Sequence, residues 1–120
     1  MATILVVDDS ASLRALLEQT LADAGHTVFT AADGKRATTL LASQPVDLVV
    51  TDIYMPDADG LELLVALRRM KPRPPAIAMS SKTGELNMLR SAKILGAQIT
   101  LQKPFPPAEL LRCVTALLNP

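Results

Sequence analysis

The segment DLVVTDIYMPDADG, residues 47–60, is an apolar run that ends at an acid, Asp52. The Met-Pro and Asp-Gly pairs that follow are turn residues, so a strand should end close to this acid. A run that is apolar on both faces is typical of a strand in a parallel sheet that helices cover on both sides. The segment therefore predicts an internal strand with a carboxylate at its carboxyl end.

Short apolar runs alternate with longer stretches of helical periodicity along the whole chain. The runs are residues 3–8, 26–30, 47–52, 75–80 and 98–102. The first of five predicted helices is capped by Ser10, ends at Gly25 and presents one apolar face, formed by Leu13, Leu16, Leu17, Thr20 and Leu21. The others follow Gly34 and Gly60, span about 84–95 with a stop at Gly96, and begin at Pro106-Pro107.

The polarity of the five runs predicts their order in the sheet. ILVV, LVV and AIAM are continuously apolar, as central strands are, whereas runs 26–30 and 98–102 carry more polar residues, as edge strands do. Edges at the second and fifth strands fit the order 2-1-3-4-5. We therefore predict an α/β fold of the flavodoxin-like, three-layer kind, with five βα units and a parallel sheet.

Size and composition limit the possible classes of protein. A chain of 120 residues is expected to form one domain over residues 1–120. Twelve basic and twelve acidic residues give zero net charge, which argues against nucleic-acid binding by this chain alone. The apolar run near the amino terminus is too short for a signal peptide or a membrane span. The single cysteine, Cys113, is interpreted as a small apolar filler, and a reducing, cytoplasmic location is expected.

The predicted strand order brings chemically active residues to one edge of the sheet. Ligands of such sheets bind at the carboxyl ends of the strands, where the order reverses, which here lies between strands one and three. Strand one ends at Asp8 and Asp9 and strand three at Asp52, while Ser80 and Lys103 end strands four and five. Taken singly, each of these residues has an ordinary explanation as a turn, cap or surface residue; their convergence favours a common site.

The residue types at this edge suggest phosphoryl chemistry. Clustered carboxylates need a counter-ion, and Mg²⁺ suits a few carboxylate ligands supplemented by water. A lysine ammonium and a serine hydroxyl can contact phosphoryl oxygens, and a carboxylate can itself be the nucleophile that carries an aspartyl-phosphate.

Five motifs resemble those of response regulator receiver domains of the CheY-like kind. They are VVDDS (6–10), DLVVTDIYMPDADG (47–60), AIAMSS (76–81), LGA (95–97) and LQKPF (101–105). The resemblance extends over essentially the whole chain. It implies a phosphoprotein of a two-component system that works with Mg²⁺, and not an enzyme acting on external substrates, although such domains phosphorylate and dephosphorylate themselves.

The resemblance also implies a role for each residue at the predicted edge. Asp52 would be the phosphoacceptor, Ser80 the switch hydroxyl and Lys103 the contact to the phosphoryl group, with a cis peptide before Pro104. The implied magnesium ligands are Asp9, Asp8 acting largely through water, Asp52 and the backbone carbonyl of Tyr54.

The implied partners are a sensor histidine kinase or a histidine phosphotransfer protein, and a downstream protein target. Output would come from protein contacts on the face of the fourth helix, fifth strand and fifth helix, as in a diffusible switch for chemotaxis or a similar pathway. Two alternatives stay open: a phosphorelay carrier that passes the group onward, and a receiver that is part of a larger regulator.

Three positions bear on how the switch behaves. Receivers usually carry an aromatic residue three positions before the lysine, where this chain has Thr100, so the usual aromatic switch is in doubt. Tyr54 and Lys82 occupy the positions whose side chains tend to set the lifetime of the phosphoryl group. We expect them to slow its loss.

Other classes fit the sequence less well. A haloacid-dehalogenase-like phosphatase would need an acid at position 54, and a flavodoxin-like FMN binder would need a hydroxyl-rich loop where Asp8 and Asp9 stand. A receiver-like scaffold without phosphorylation would not need all five site residues.

Overall fold

The computed structural model describes residues 2–53, 60–80, 93 and 96–119. The strands are β1 (Thr3–Val7), β2 (Thr27–Ala31), β3 (Leu48–Asp52), β4 (Ala76–Ser80) and β5 (Ile99–Gln102). The described helices are α1 (Ala11–Asp23), α2 (Gly34–Ser43), α3 (Gly60–Arg68) and a C-terminal helix (Pro107–Leu118). The helix predicted at about 84–95 lies outside the described residues, apart from Lys93.

The five strands form one parallel sheet in the order β2-β1-β3-β4-β5, so the predicted order and fold class are confirmed. All residues of β3 and β4 are buried, whereas the edge strands β2 and β5 are partly exposed. Each predicted strand agrees with the structure to within one residue at either end. The contrast in polarity that predicted the edges therefore reflects how many faces of each strand are covered.

Local hydrogen bonds fix where the helices begin. The hydroxyl of Ser10 accepts a hydrogen bond from the Leu13 amide at 3.3 Å, and a carboxylate oxygen of Asp33 accepts one from the Arg36 amide at 2.8 Å. These side chains satisfy amides that have no partner inside the helix. Gly25, with a φ of +97°, lets the chain turn away after α1. These caps place the start of α1 immediately after Asp8 and Asp9.

The sheet separates two apolar clusters. On one face, β-strand residues pack against α2 and α3 through Ala37, Leu63, Leu64 and Leu67. On the other face they pack against α1 and the C-terminal helix through Leu17, Leu21, Leu110 and Val114. This three-layer arrangement leaves the two ends of the strands as the places where polar groups can gather. None of the described helices has the length and hydrophobicity of a transmembrane span.

One residue of the predicted apolar face of α1 lies outside the core. Leu17 and Leu21 are buried, but Leu16, which was predicted to share their face, is 51% exposed. Successive helical residues are rotated by about 100°, which places Leu16 at the margin of the apolar stripe. It lies beside an apolar groove of about 290 Å³ whose lining includes Phe105, Pro107 and Lys103.

Candidate functional site

The carboxyl ends of β1, β3, β4 and β5 lie at one rim of the sheet. Val7 is paired with Thr51, Asp52 with Met79, and Ser80 with Gln102, so the strands end nearly level with one another. The residues that end these strands or directly follow them are Asp8, Asp9, Asp52, Ser80 and Lys103. We call this edge the acidic rim.

Three carboxylates meet at the acidic rim. One carboxylate oxygen from each of Asp8, Asp9 and Asp52 lies within 4.8 Å of the others. Asp8 is fully buried, Asp52 is 6% exposed, and Asp9 is exposed to solvent. Because like charges at this distance repel and burial strengthens the repulsion, the cluster requires positive charge or hydrogen-bond donors close by.

Asp8 receives hydrogen bonds on both of its carboxylate oxygens. The Ser10 amide donates to Oδ1 at 2.8 Å, and Lys103 Nζ donates to Oδ2 at 2.8 Å. The Arg14 guanidinium donates to the backbone carbonyl of Asp8, also at 2.8 Å. Both the side chain and the main chain of Asp8 are therefore held in place from α1 and from the loop after β5.

Lys103 joins two of the acids. Its Nζ donates to Asp52 Oδ2 at 3.1 Å as well as to Asp8, and its side chain is 20% exposed. Burial lowers the pKa of the Lys103 ammonium, but the hydrogen bonds and negative charges of Asp8 and Asp52 outweigh burial and raise the pKa above its ordinary value. Lys103 is therefore a permanent cation at the centre of the rim at neutral pH.

The end of β4 is tied directly to Lys103. Ser80 is fully buried, and its carbonyl accepts a hydrogen bond from the Lys103 amide at 2.7 Å. The Lys103–Pro104 peptide is cis, as the resemblance implies. Ser80, which was predicted as the switch hydroxyl, thus lies next to the residue predicted to contact a phosphoryl group.

The remaining predicted positions are only partly described. Tyr54 and Lys82 lie outside the described residues. Thr100 is half-buried in β5, where it pairs with Ala78. Arg14 was not among the predicted site residues, because an arginine that binds the main-chain carbonyl of an aspartate six residues earlier leaves no recognisable motif.

The composition of the acidic rim fits a divalent cation. Three carboxylates and one ammonium carry a formal charge of −2, and the carboxylate oxygens converge within reach of one ion. Oxygen ligands with at least one exposed group, here Asp9, suit Mg²⁺, which retains several waters. The residues present therefore fit the ion that the sequence predicted.

The sequence model of the response regulator receiver domain family matches residues 4–115. The chain belongs to this family. The receiver domain is 36% identical over 118 residues to the DNA-binding transcriptional regulator NtrC of Azospirillum brasilense, a match that covers 98% of the chain and 24% of that protein. It is also 36% identical over 116 residues to the alkaline phosphatase synthesis transcriptional regulatory protein PhoP of Bacillus subtilis, covering 97% of the chain and 48% of that protein.

A solved structure agrees with the receiver fold over almost its whole length. The chemotaxis response regulator CheY4 of Vibrio cholerae superposes with a TM-score of 0.88 at 34% identity, covering 98% of each chain. The receiver domain spans about a quarter and about half of the lengths of NtrC and PhoP. It is therefore a signalling domain of the two-component type with the CheY-like fold, as predicted.

Proposed function

We propose that this receiver domain is a Mg²⁺-dependent phosphoacceptor. Asp52 takes a phosphoryl group from a phosphohistidine of a sensor histidine kinase or a histidine phosphotransfer protein. The observation that best supports this proposal is the position of Lys103, whose Nζ bridges Asp8 and Asp52 at 2.8 and 3.1 Å. A cation held there can contact an oxygen of a group attached to Asp52.

The transfer step needs a nucleophile that a donor can reach from one direction. Asp52 ends β3 at the acidic rim and is 6% exposed, so only a small part of its surface is accessible to a donor. A carboxylate oxygen of Asp52 forms a bond to phosphorus as the P–N bond of the donor breaks. The imidazole nitrogen keeps the bonding electron pair and takes up a proton. In hydrolysis, a water oxygen forms a bond to phosphorus as the P–O bond to Asp52 breaks. The Asp52 carboxylate keeps the bonding electron pair, the water releases a proton, and inorganic phosphate leaves.

Lys103 and Ser80 act on the transferred group in this proposal. Lys103 Nζ shifts a hydrogen bond from Asp52 to a phosphoryl oxygen. The Ser80 hydroxyl donates a hydrogen bond to another phosphoryl oxygen. Because the Lys103 amide is bonded to the Ser80 carbonyl at 2.7 Å, a shift of either residue moves the other. The new group adds roughly 1.5 to 2 negative charges, which favours a packing in which both residues turn toward Asp52.

The magnesium site in this proposal is formed by Asp8, Asp9 and Asp52, with the Tyr54 carbonyl as a further ligand. When bound, Mg²⁺ supplies positive charge that offsets the charge on the oxygens of the transferred group. Asp8 holds its orientation through the bonds from Ser10 and Lys103, so its carboxylate is already positioned for an ion or its water.

We further propose that residues 1–120 form a single receiver domain whose output is protein contacts on the fourth predicted helix, β5 and the C-terminal helix. Thr100 lies in β5 of that face, so any switch there proceeds without an aromatic ring at this position. Capture of a downstream target by the phosphorylated form alone supports the diffusible switch, whereas transfer onward to a second histidine supports the phosphorelay carrier. Either behaviour is compatible with a receiver that belongs to a larger regulator.

The test is intact mass spectrometry after incubation with Mg²⁺ and acetyl phosphate. We expect one phosphoryl adduct in the wild type, none in Asp52→Asn, and none when EDTA removes the Mg²⁺. The matched control is Asp23→Asn, which makes the same change at an exposed carboxylate of α1. Equal labelling of Asp52→Asn and wild type, or labelling that ignores EDTA, would overturn the proposal.

A further inference from the structure

The zero net charge of the chain conceals a strong separation of charge along the sequence. Residues 1–61 contain nine acidic and three basic residues, whereas residues 62–98 contain two acidic and seven basic ones. Four of these cations fall within the six residues RRMKPR, 68–73. Such separation creates a local field that the total charge does not reveal.

The structure exposes the described cations of this segment and brings two of them together at Gly96. Arg68, Arg69, Lys71, Arg73 and Lys93 are all exposed, and we call them the basic surface. A β-carbon built on Gly96 would collide with the Arg73 guanidinium and would lie 3.5 Å from Arg68 Cγ, so these two side chains converge on Gly96 from different elements. The Gly96 amide in turn donates to the Lys93 carbonyl at 3.1 Å.

The charges of the basic surface are not neutralised by neighbouring acids in the described part of the chain. Arg73 Nη2 donates to the Gly96 carbonyl at 2.7 Å, and Lys93 Nζ donates to the Gln98 carbonyl at 2.9 Å, so both cations bond to neutral acceptors. The described ion pairs lie elsewhere, at Asp33 and at the acidic rim. The end of α3 accounts for only part of the positive charge, because a helix carboxyl terminus carries about half a negative charge.

An apolar groove is lined in part by Met70, the chain neighbour of two cations of the basic surface. It has a volume of about 190 Å³, lies between α2 and α3, and is lined by Thr38, Leu41, Ala42, Ala66 and Met70. Met70 stands between Arg69 and Lys71 in the chain, so aliphatic and cationic side chains alternate there. This combination suits a ligand that carries carboxylates and an aliphatic side chain together.

We propose that the basic surface and the Met70 groove bind an acidic segment of a partner protein that also presents an aliphatic side chain. Residues 62–98 contain no aromatic residue on which bases could stack, and the nine acids of residues 1–61 oppose a long polyanion such as a DNA duplex. A short acidic segment, in contrast, can contact the basic surface without approaching the acids of residues 1–61. This proposal goes beyond the phosphoacceptor function and does not rest on it.

The position of the basic surface separates it from the acidic rim. Arg73 precedes Ala76, the first residue of β4, and Ser80 at the other end of β4 lies at the rim. Five residues of strand span roughly 16 Å. Arg68, at the end of α3, lies near Gly96, which precedes β5 and so is at the end of the sheet opposite the rim. A partner on the basic surface therefore leaves Asp52 accessible.

The test is an NMR titration of the ¹⁵N-labelled chain, at low salt, with a glutamate-rich peptide that contains leucine. We expect shifts confined to the end of α3, the α2 residues that line the Met70 groove, Gly96 and Gln98. The affinity should fall at least about tenfold in the double variant Arg69→Glu/Lys71→Glu. The control Lys35→Glu/Arg36→Glu makes the same charge change at exposed positions of α2 and should bind as the wild type does.

Further variants keep the test decisive. Arg69→Gln/Lys71→Gln should weaken binding even if the charge reversal disturbs folding, and Met70→Ser should abolish the preference for the leucine-containing peptide over an all-glutamate peptide. Asp52→Asn should leave the affinity unchanged. Shifts located elsewhere, equal or tighter binding of a DNA duplex, or self-association that these variants abolish would each overturn the proposal.

Discussion

Lys103 is the residue on which the acidic rim depends for its charge balance. Replacement by Met keeps the length of the side chain but leaves Asp8 and Asp52 buried without their shared cation. We expect the free energy of unfolding, measured by urea denaturation in EDTA, to fall by about 1–3 kcal/mol. The control Lys35→Met, at an exposed position, should change it by less than about 0.5 kcal/mol. Equal effects of the two substitutions would mean that Lys103 does not stabilise the carboxylates.

Cys113 gives a prediction for pH dependence. Burial, then the nearby Glu109 carboxylate, raise the pKa of its thiol, and Arg112 only partly offsets them. Because the folded state favours the neutral thiol, Cys113 contributes fully to the stability of the fold below the ordinary thiol pKa. This contribution is lost as the pH rises through the raised pKa of the folded state. Alkylation by iodoacetamide, followed by intact mass, should therefore reach half its maximal rate at a higher pH in the native chain than in urea. Coincident pH midpoints would contradict this.

At the scale of single elements, the exposed edge of α1 borders the acidic rim. Leu16 is 51% exposed beside the groove that also contains Lys103 and Phe105. A protein donor that delivers a phosphoryl group to Asp52 must cover this neighbourhood, whereas acetyl phosphate need not. We expect Leu16→Asp to slow labelling by a phosphorylated histidine phosphotransfer protein about tenfold, which corresponds to about 1.4 kcal/mol. Labelling by acetyl phosphate should not change.

The matched control for Leu16→Asp is Ala15→Asp, which adds the same charge at an exposed position that does not line the groove. Both variants should unfold at nearly the wild-type temperature. If Ala15→Asp slowed protein-dependent labelling as much as Leu16→Asp does, added negative charge rather than lost apolar contact would be the cause.

The elements also show what the sequence could and could not predict. Strand polarity predicted the sheet order because β3 and β4 are buried on both faces while β2 and β5 are not. Periodicity grouped Leu16 with buried residues, because a repeat of apolar residues does not show how wide the buried part of a helix face is. Arg14 was missed because its contact is to a backbone carbonyl, and backbone groups are alike at every position. The totals of charged residues gave no sign of the basic surface, because totals do not show where those residues lie in the chain.

At the scale of the whole molecule, the acidic rim should couple ion binding to folding. The rim carries a formal charge of −2, so Mg²⁺ bound only by the native state stabilises it. At a concentration about ten times the dissociation constant, this amounts to about 1.4 kcal/mol. Thermal unfolding followed by circular dichroism should show a higher midpoint with Mg²⁺ and no such shift in Asp9→Asn. The control Asp23→Asn should respond as the wild type does.

The lifetime of the phosphoryl group is a further property of the whole domain. Tyr54 and Lys82 are predicted to hinder the attacking water, so the adduct on Asp52 should decay over many minutes after acetyl phosphate is removed. Intact mass spectra recorded at intervals measure this decay directly. Decay within seconds would show that these two side chains offer little protection.

The two apolar clusters on opposite faces of the sheet have a consequence for how such a domain changes during evolution. Substitutions in α2 or α3 repack against one face, and those in α1 or the C-terminal helix repack against the other. Both clusters use the strands of the same sheet, but each has its own helices. Substitutions in the helices of one layer therefore have little effect on the packing of the helices in the other. The chemistry at the strand ends can then persist while the two helical layers diversify separately.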